Sequence, residues 1–167
     1  MRQADLLDGA SHNNILAFFT EIDKNLEQCH VLERETMAVL TESARKMLEG
    51  KNFVYIATVN PNGTPQVTPT WVDTDGKFVL INTALGRAKE RNIKKNPHVA
   101  LAITDQNNPY DLIVIQGKVV DKVTGQVAED HIDKMAKKYR GVDKYPNRNP
   151  NEPRILLKIE PTKIISR

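Results

Sequence analysis

An apolar run, Phe78-Val79-Leu80-Ile81, leads through Asn82-Thr83 into a segment with five cations (Arg87, Lys89, Arg91, Lys94, Lys95) and one acid, Glu90. The pattern predicts a strand followed by a helix that opens at Gly86, with Arg87 and Lys89 in its first turn. The first N–H groups of a helix lack intrahelical acceptors and the dipole is positive there, so such a turn favours an anion. An Arg fork and a Lys point charge added to it make a candidate phosphate clamp. Cations at a helix start oppose the dipole, so stability alone does not explain them. The competing reading is a solvated helix face, since only Ala88 and Ile93 are available to anchor the segment. Asn82 and Thr83 add side-chain donors at the mouth of the strand.

A second set of polar groups lies in Gln66-Val67-Thr68-Pro69-Thr70-Trp71. Strand alternation puts Gln66, Thr68 and Thr70 on one face and Val67, Pro69 and Trp71 on the other. The first face could hydrogen-bond the edge of a polar ring, or could be an ordinary wet face. Trp71, the only tryptophan, is read as core or interface, with ligand stacking as the alternative. Lys134, Lys137, Lys138, Arg140, Lys144 and Arg148 form another basic stretch, either a solvated helix face and loop or a grip on an anionic tail. No carboxylate pair, nucleophile–base pair or metal-ligand cluster stands out, and the four histidines lack ligand spacing. If the protein is an enzyme, its chemistry belongs to a bound group that the protein orients.

The elements that must position these residues read as follows. Ile15, Phe18, Phe19, Ile22 and Leu26 recur at helical spacing behind Ser11 as N-cap. Met37, Leu40, Ala44, Met47 and Leu48 mark a second helix ending at Gly50. The β-branched run Phe53–Val59, the turn at Pro61-Asn62-Gly63 and a strand from Thr64 to Val72 follow. Pro65 and Pro69 require that strand to be an edge or to bulge. A third strand covers Lys77 to Ile81. The Arg87 helix must stop at Asn96-Pro97. Val99–Thr104 and Tyr110–Val123 are strands, and Gln126–Tyr139 is a helix with an Ala128, Ile132, Met135, Ala136, Tyr139 stripe. Residues 140–153 are loop. Arg154–Ile159 is a last strand, with Pro161–Ile165 as its continuation. Tight turns imply antiparallel neighbours, and the lack of a β-α-β rhythm predicts a small barrel. The expected fold is mainly β with α: a six-stranded antiparallel split β-barrel with flanking helices.

At 167 residues the chain has the length of one domain, and its net charge of +3 (24 − 21) is too mild to point to nucleic acid. The basic helix also lacks interleaved aromatics. One cysteine, Cys29, allows no intrachain disulfide, and the apolar runs are far shorter than the roughly 20 residues of a membrane span. With no secretory signal read at the N-terminus, the expectation is a cytoplasmic protein without membrane or metal association.

Taken together, Phe53–Val59, Gly63–Val72, Asn82-Thr83 through Asn92, Asn107–Tyr110, Gln116–Val119 and His131–Asp133 resemble the pyridoxamine-phosphate-oxidase-like split β-barrels. The resemblance spans about Leu40 to Ile165 and is nearest the branch that uses the deazaflavin coenzyme F₄₂₀. It implies a barrel domain over residues 40–167; the helical extension over 1–39 lies outside the common pattern, and because its apolar stripe needs a surface to cover, it is expected to pack over the barrel or across a dimer. The resemblance further implies a homodimer with two cofactors at the interface and hydride transfer between reduced F₄₂₀ and a small organic acceptor. Arg87 and Lys89 would hold the cofactor phosphate, with Asn82, Thr83 and Asn92 in the same matched segment. Gln66, Thr68 and Thr70 would run beside the ring. Where flavin-binding relatives often carry an Arg before a glycine of the fifth strand, this chain has Gln116-Gly117. FMN is the alternative cofactor, since both ligands present a phosphate and a tricyclic ring. Lys94 or Lys137 could serve the longer tail of F₄₂₀. A non-catalytic carrier of flavin, haem or a related anion is the alternative of a different class.

Overall fold

The computed structural model describes residues 37–166, in a compact unit that begins at Met37. The helical stripe expected over Ile15–Leu26 lies outside the described residues. Helix α1 is Glu42–Glu49, capped by Thr41, whose Oγ1 accepts from the Ala44 N–H at 3.2 Å. It buries Ala44 and Leu48. Met37 and Leu40 of the expected stripe precede the helix; Leu40 is buried and Met37 exposed. Strands β1 (Val54–Val59), β2 (Pro65–Thr70), β3 (Asp73–Thr74) and β4 (Val79–Ala84) follow. Then come helix α2 (Ala88–Lys95), strands β5 (His98–Thr104) and β6 (Leu112–Thr124), helix α3 (Gln126–Arg140) and strand β7 (Arg154–Ser166).

The strands form one antiparallel sheet in the order β2-β1-β5-β6-β7-β4-β3. Strands β2 and β3 are separated only by Trp71 and Val72, yet they lie at opposite edges. The chain therefore steps from one edge to the other, and the sheet must curl into a barrel split at that step. Seven strands replace the six expected, because the strand read over Thr64–Val72 ends early. Val54↔Thr70 is the last β1–β2 pair, and Asp73 and Thr74 pair instead with Leu80 and Val79. Pro65 and Pro69 do sit on an edge strand, where a missing N–H leaves no gap in a ladder. The last strand runs unbroken from Arg154 to Ser166. Its pairing with β6 shifts register at Gln116/Gly117 and at Val119/Asp121, which bends the long ribbon.

Residues of β1, β4, β5, β6 and β7 fill the barrel: Val54, Ile56, Ile81, Leu101, Ile103, Ile115, Leu157 and Ile159 are buried. Helix α3 covers the outer face of β4 and β7, where Ala128 packs with Leu80 and Leu156. Its buried stripe of Ala128, Ile132, Met135 and Ala136 matches the expected one, and Gly141 ends it in the left-handed conformation at φ 73°. No helix among the described residues is long and apolar enough to cross a membrane.

The end of α3 closes the split. At the Trp71–Val72 step the backbone of Val72 has no strand partner. Its N–H donates to Tyr139 Oη at 3.1 Å, and its carbonyl accepts from Lys138 Nζ at 2.9 Å. Tyr139 Oη in turn donates to the Asn52 carbonyl at 2.6 Å, and burial raises its pKa. Tyr139→Phe keeps the ring but leaves the Val72 N–H and the Asn52 carbonyl unpaired, so it is expected to lower unfolding stability by about 1–3 kcal/mol. Urea denaturation of the two proteins measures this; equal midpoints would show that the split does not depend on that hydroxyl.

Candidate functional site

Beside the split, a cleft of about 240 Å³ opens where the ends of β2, β4 and β7 meet the start of α2 and the flank of α3. Arg87, Lys89, Arg140 and Arg154 line it together with Thr70, Trp71, Asn82, Thr83 and Tyr145, and no carboxylate does. Of the residues read from the sequence, Thr70, Asn82, Thr83, Arg87 and Lys89 meet here. Gln66, Thr68 and Asn92 do not line this cleft.

Those three lie along the inner face of β2 and beneath α2. The alternation is as expected, with Gln66, Thr68 and Thr70 half-buried and Pro65, Val67 and Pro69 exposed. Asn92 is buried and its Nδ2 faces Asn60 Oδ1 at 2.9 Å, Thr58 Oγ1 at 3.0 Å and Gln66 Oε1 at 3.1 Å. This amide ties α2 to β1 and β2. Helix α2 is thus anchored by Glu90 and Asn92 as well as by Ile93, which the apolar pattern alone did not reveal. Asn82 and Thr83 are also placed differently from their expected position at a strand mouth. They lie inside β4, every residue of which is buried.

Helix α2 starts one residue later than expected, with Arg87 as its N-cap and Lys89 in its first turn. Arg87 makes no side-chain cap bond, so it leaves the first N–H groups of the helix to other acceptors. The turn before it is fixed by Glu90, whose Oε2 accepts from the Gly86 N–H at 3.1 Å. Burial of Glu90 raises its pKa, but hydrogen bonds from Lys94 and Gly86 outweigh that and lower it. Gly86 has φ 77°, a backbone that a side chain disfavours. The strand-to-helix turn is therefore built to hold Arg87 and Lys89 at the cleft.

The cations differ in their partners. Arg87 donates from Nε and Nη2 to Glu152 Oε2 at 3.1 and 2.7 Å, and this lowers the Glu152 pKa. Arg154 is buried and donates from Nε to Asn82 Oδ1 at 2.7 Å, with its guanidinium 5.3 Å from the Tyr145 ring. Neither its Nη groups nor Lys89 Nζ has a hydrogen-bonded acceptor among the described residues. Burial lowers the Lys89 pKa, and the charges of Arg87 and Arg154 lower it further. Arg154 is lowered from its ordinary value by burial first and also by Arg87. Thr83, only 1% exposed, has a buried hydroxyl without a partner among the described residues. Like charges held together next to an orphaned hydroxyl fit a multivalent anion, which would satisfy all of them at once.

Other cations read from the sequence are committed elsewhere. Lys94 pairs with Glu90 at 2.9 Å and Lys137 with Asp143 at 3.0 Å. Lys144 and Arg148 both bind Asp133. Arg140 remains at the cleft. The floor is aromatic: Trp71 stacks on Tyr139 at 5.2 Å and 8°, and meets Tyr145 edge-on at 5.9 Å. Arg154 and Tyr145 were not found from the sequence. The available signal for Arg154 was a cation opening an otherwise apolar strand, Arg154-Ile155-Leu156-Leu157.

The depressed Lys89 pKa has a pH consequence. Charged Lys89 opposes folding of the unliganded protein, fully below its lowered pKa and less as pH rises from there toward the ordinary lysine value of 10.5. A bound anion needs that charge. Affinity for a phosphorylated ligand should therefore fall on the alkaline side at lower pH than an ordinary lysine would give, and Lys89→Arg should move the fall upward. Binding titrations from about pH 7 to 10.5 test this; an unchanged alkaline limb in the variant would contradict it.

Comparison with known proteins identifies the family and the fold. Residues 40–167 match the family model for pyridoxamine 5'-phosphate oxidase. Among solved structures, one described as an F₄₂₀ reductase is 32% identical, covering 72% of this chain and 94% of that one, with a TM-score of 0.64. A conserved hypothetical protein of Mycobacterium tuberculosis is 17% identical, with 78% and 85% coverage and a TM-score of 0.60. General Stress Protein 26 of Bacillus anthracis is 18% identical, with 75% and 91% coverage and a TM-score of 0.56. The last two speak to the fold alone. No curated protein matches the sequence.

Proposed function

The chain belongs to the pyridoxamine 5'-phosphate oxidase family, and from that premise we propose that it is a cytoplasmic, homodimeric oxidoreductase that uses coenzyme F₄₂₀ to reduce a small organic acceptor. The observation that carries the reading is a cleft with four cations, no carboxylate and an unpartnered buried Thr83 hydroxyl beside an aromatic floor. The 32% identity with an F₄₂₀ reductase favours the deazaflavin over FMN.

The residues present fit such a group. Arg87, Lys89 and Arg154 would hold its phosphate, and the Thr83 hydroxyl would supply a further hydrogen bond. Thr70 and Trp71 would border its ring. The cofactor supplies the hydride, so the protein needs no nucleophile or acid–base pair of its own. Its residues bind, orient and keep water out.

Two features support a dimer that completes the site. The cleft is smaller than the roughly 300–1,000 Å³ usual for ligand sites. Beside it, the outer face of the sheet carries an apolar row, Pro69-Tyr55-Ala102-Val114-Ile165, in direct cross-strand register. Tyr55 is 45% exposed, and Val67 next to the row 57%. A second copy seated there would cover this row and add a wall to the cleft.

Titrating the purified protein with F₄₂₀ and with FMN, followed by fluorescence and by turnover of the reduced cofactor with a quinone, tests the proposal. Light scattering on the same sample reads the mass. The expected result is a dimer that binds F₄₂₀ more tightly than FMN and turns it over. Preference for FMN would replace the cofactor assignment, and binding without turnover with any acceptor would favour a carrier.

A further inference from the structure

Arg154 is aimed by a chain of polar groups that runs from the cleft through Asn82 of β4 and His131 of α3 to Asp73 of β3. Asn82 is 5% exposed, and its amide has a single chemically consistent orientation. The Ala128 carbonyl can only accept, so Nδ2 faces it at 2.7 Å; Arg154 Nε can only donate, so Oδ1 faces it at 2.7 Å. The same Nδ2 lies 3.4 Å from His131 Nδ1. A ring nitrogen opposite an amide N–H must be the acceptor, which places the proton of neutral His131 on Nε2. Nε2 looks toward Asp73 Oδ2 at 3.6 Å and has no closer partner. Burial raises the Asp73 pKa, but the neighbouring His131 ring, the hydrogen bond from Lys134 and the Lys134 charge outweigh it and bring it to about 2. Asp73 is therefore a carboxylate that can only accept, and its charge favours the same tautomer.

We propose that His131 is a positioning residue for the anion site: held by Asp73 with its proton on Nε2, it fixes the Asn82 amide, which in turn fixes the Arg154 guanidinium with its Nη groups free for the ligand. The inference rests on the reading of the cleft as a phosphate site. Neither His131 nor Asp73 lines the cleft, so their effect on a ligand passes through Asn82 and Arg154. Without the ring acceptor the Asn82 amide keeps one donor contact instead of two, and the Arg154 side chain loses its fixed direction.

The test uses the full chain. Nitrogen-15 NMR of the wild-type imidazole reports the tautomer with no variant needed, and the Arg154 Nε–H resonance, assigned by its loss in Arg154→Lys, reports the guanidinium. Affinities are read with two probe pairs, FMN with riboflavin, and F₄₂₀ with its phosphate-free deazariboflavin. The expected result is an Nε2–H tautomer and a protected Nε–H. His131→Leu should lose that protection and bind the phosphorylated probe about tenfold more weakly, with the phosphate-free probe changed less than about twofold. His131→Asn, which can return an acceptor near the Nδ1 position, should recover most of both. An Nδ1–H tautomer, or equal losses for both members of a pair, would overturn the relay. A wild type that prefers phosphorylated probes, with a His131→Leu variant that keeps that preference undiminished, overturns the relay alone. A wild type indifferent to phosphate overturns the phosphate reading and this proposal with it.

Discussion

Replacing Arg87 and Lys89 together by alanine is expected to weaken binding of the phosphorylated cofactor by at least about 100-fold, because two charge-assisted hydrogen bonds of about 1.5–3 kcal/mol each are removed. The same change should barely move the stability of the unliganded protein. Arg87 loses only an exposed pair with Glu152, and such pairs contribute about 0–1 kcal/mol. Lys89 loses no hydrogen bond, and its removal relieves repulsion with Arg87 and Arg154. Groups kept at a site against the interest of stability are the ones a ligand accounts for. Equilibrium titration and urea denaturation of the double variant read the two quantities separately. A large loss of stability with unchanged affinity would make the cations structural and remove the clamp.

Gly117→Ala should strain the barrel at its tightest backbone approach. A Cβ there would sit 2.6 Å from the Glu160 carbonyl oxygen and 2.8 Å from Ile159 Cγ2. The first neighbour is backbone in the middle of β7 and cannot swing aside. The position also lies at a register shift between β6 and β7, so relief would require the two longest strands to separate locally. Overpacking of this kind costs about 1–3 kcal/mol, and we expect the upper part of that range, with a fall in thermal midpoint of several degrees. A midpoint equal to the wild type's would mean that the ribbon can slide at this point. In the sequence this glycine follows Gln116, the position at which the resemblance leads one to expect an arginine. The structure gives the glycine its own reason, close backbone approach.

Much of the barrel could be read along the chain because its signals are local. Turn residues at Asn62-Gly63, alternation through β2, and the Asn96-Pro97 stop each act within a few residues. The edge position of β2 followed from its prolines. The split did not follow, because Trp71 and Val72 look like more strand; they leave the sheet only because β3 finds its partner on the opposite edge. The division of the site follows the same line. Arg87 and Lys89 announce themselves by their place at a helix start. Arg154 carries only the faint mark of a cation opening an apolar strand and reaches the cleft through the pairing of β7 with β4, where it sits opposite Ala84. Asn92 read as part of the matched segment, while its amide meets Thr58, Asn60 and Gln66, a convergence set by packing between α2, β1 and β2. Lys94 and Lys137 show the limit of counting charges, since each already faces an acid.

A crystal structure of the protein soaked with F₄₂₀ tests the central claim most directly. The account predicts phosphate oxygens about 2.7–3.0 Å from Lys89 Nζ and from the guanidinium groups of Arg87 and Arg154, with the deazaflavin ring bordered by Thr70 and Trp71 and walled by a second copy of the chain. A ligand bound elsewhere, with α2 facing open solvent and Lys89 still unpartnered, would contradict it.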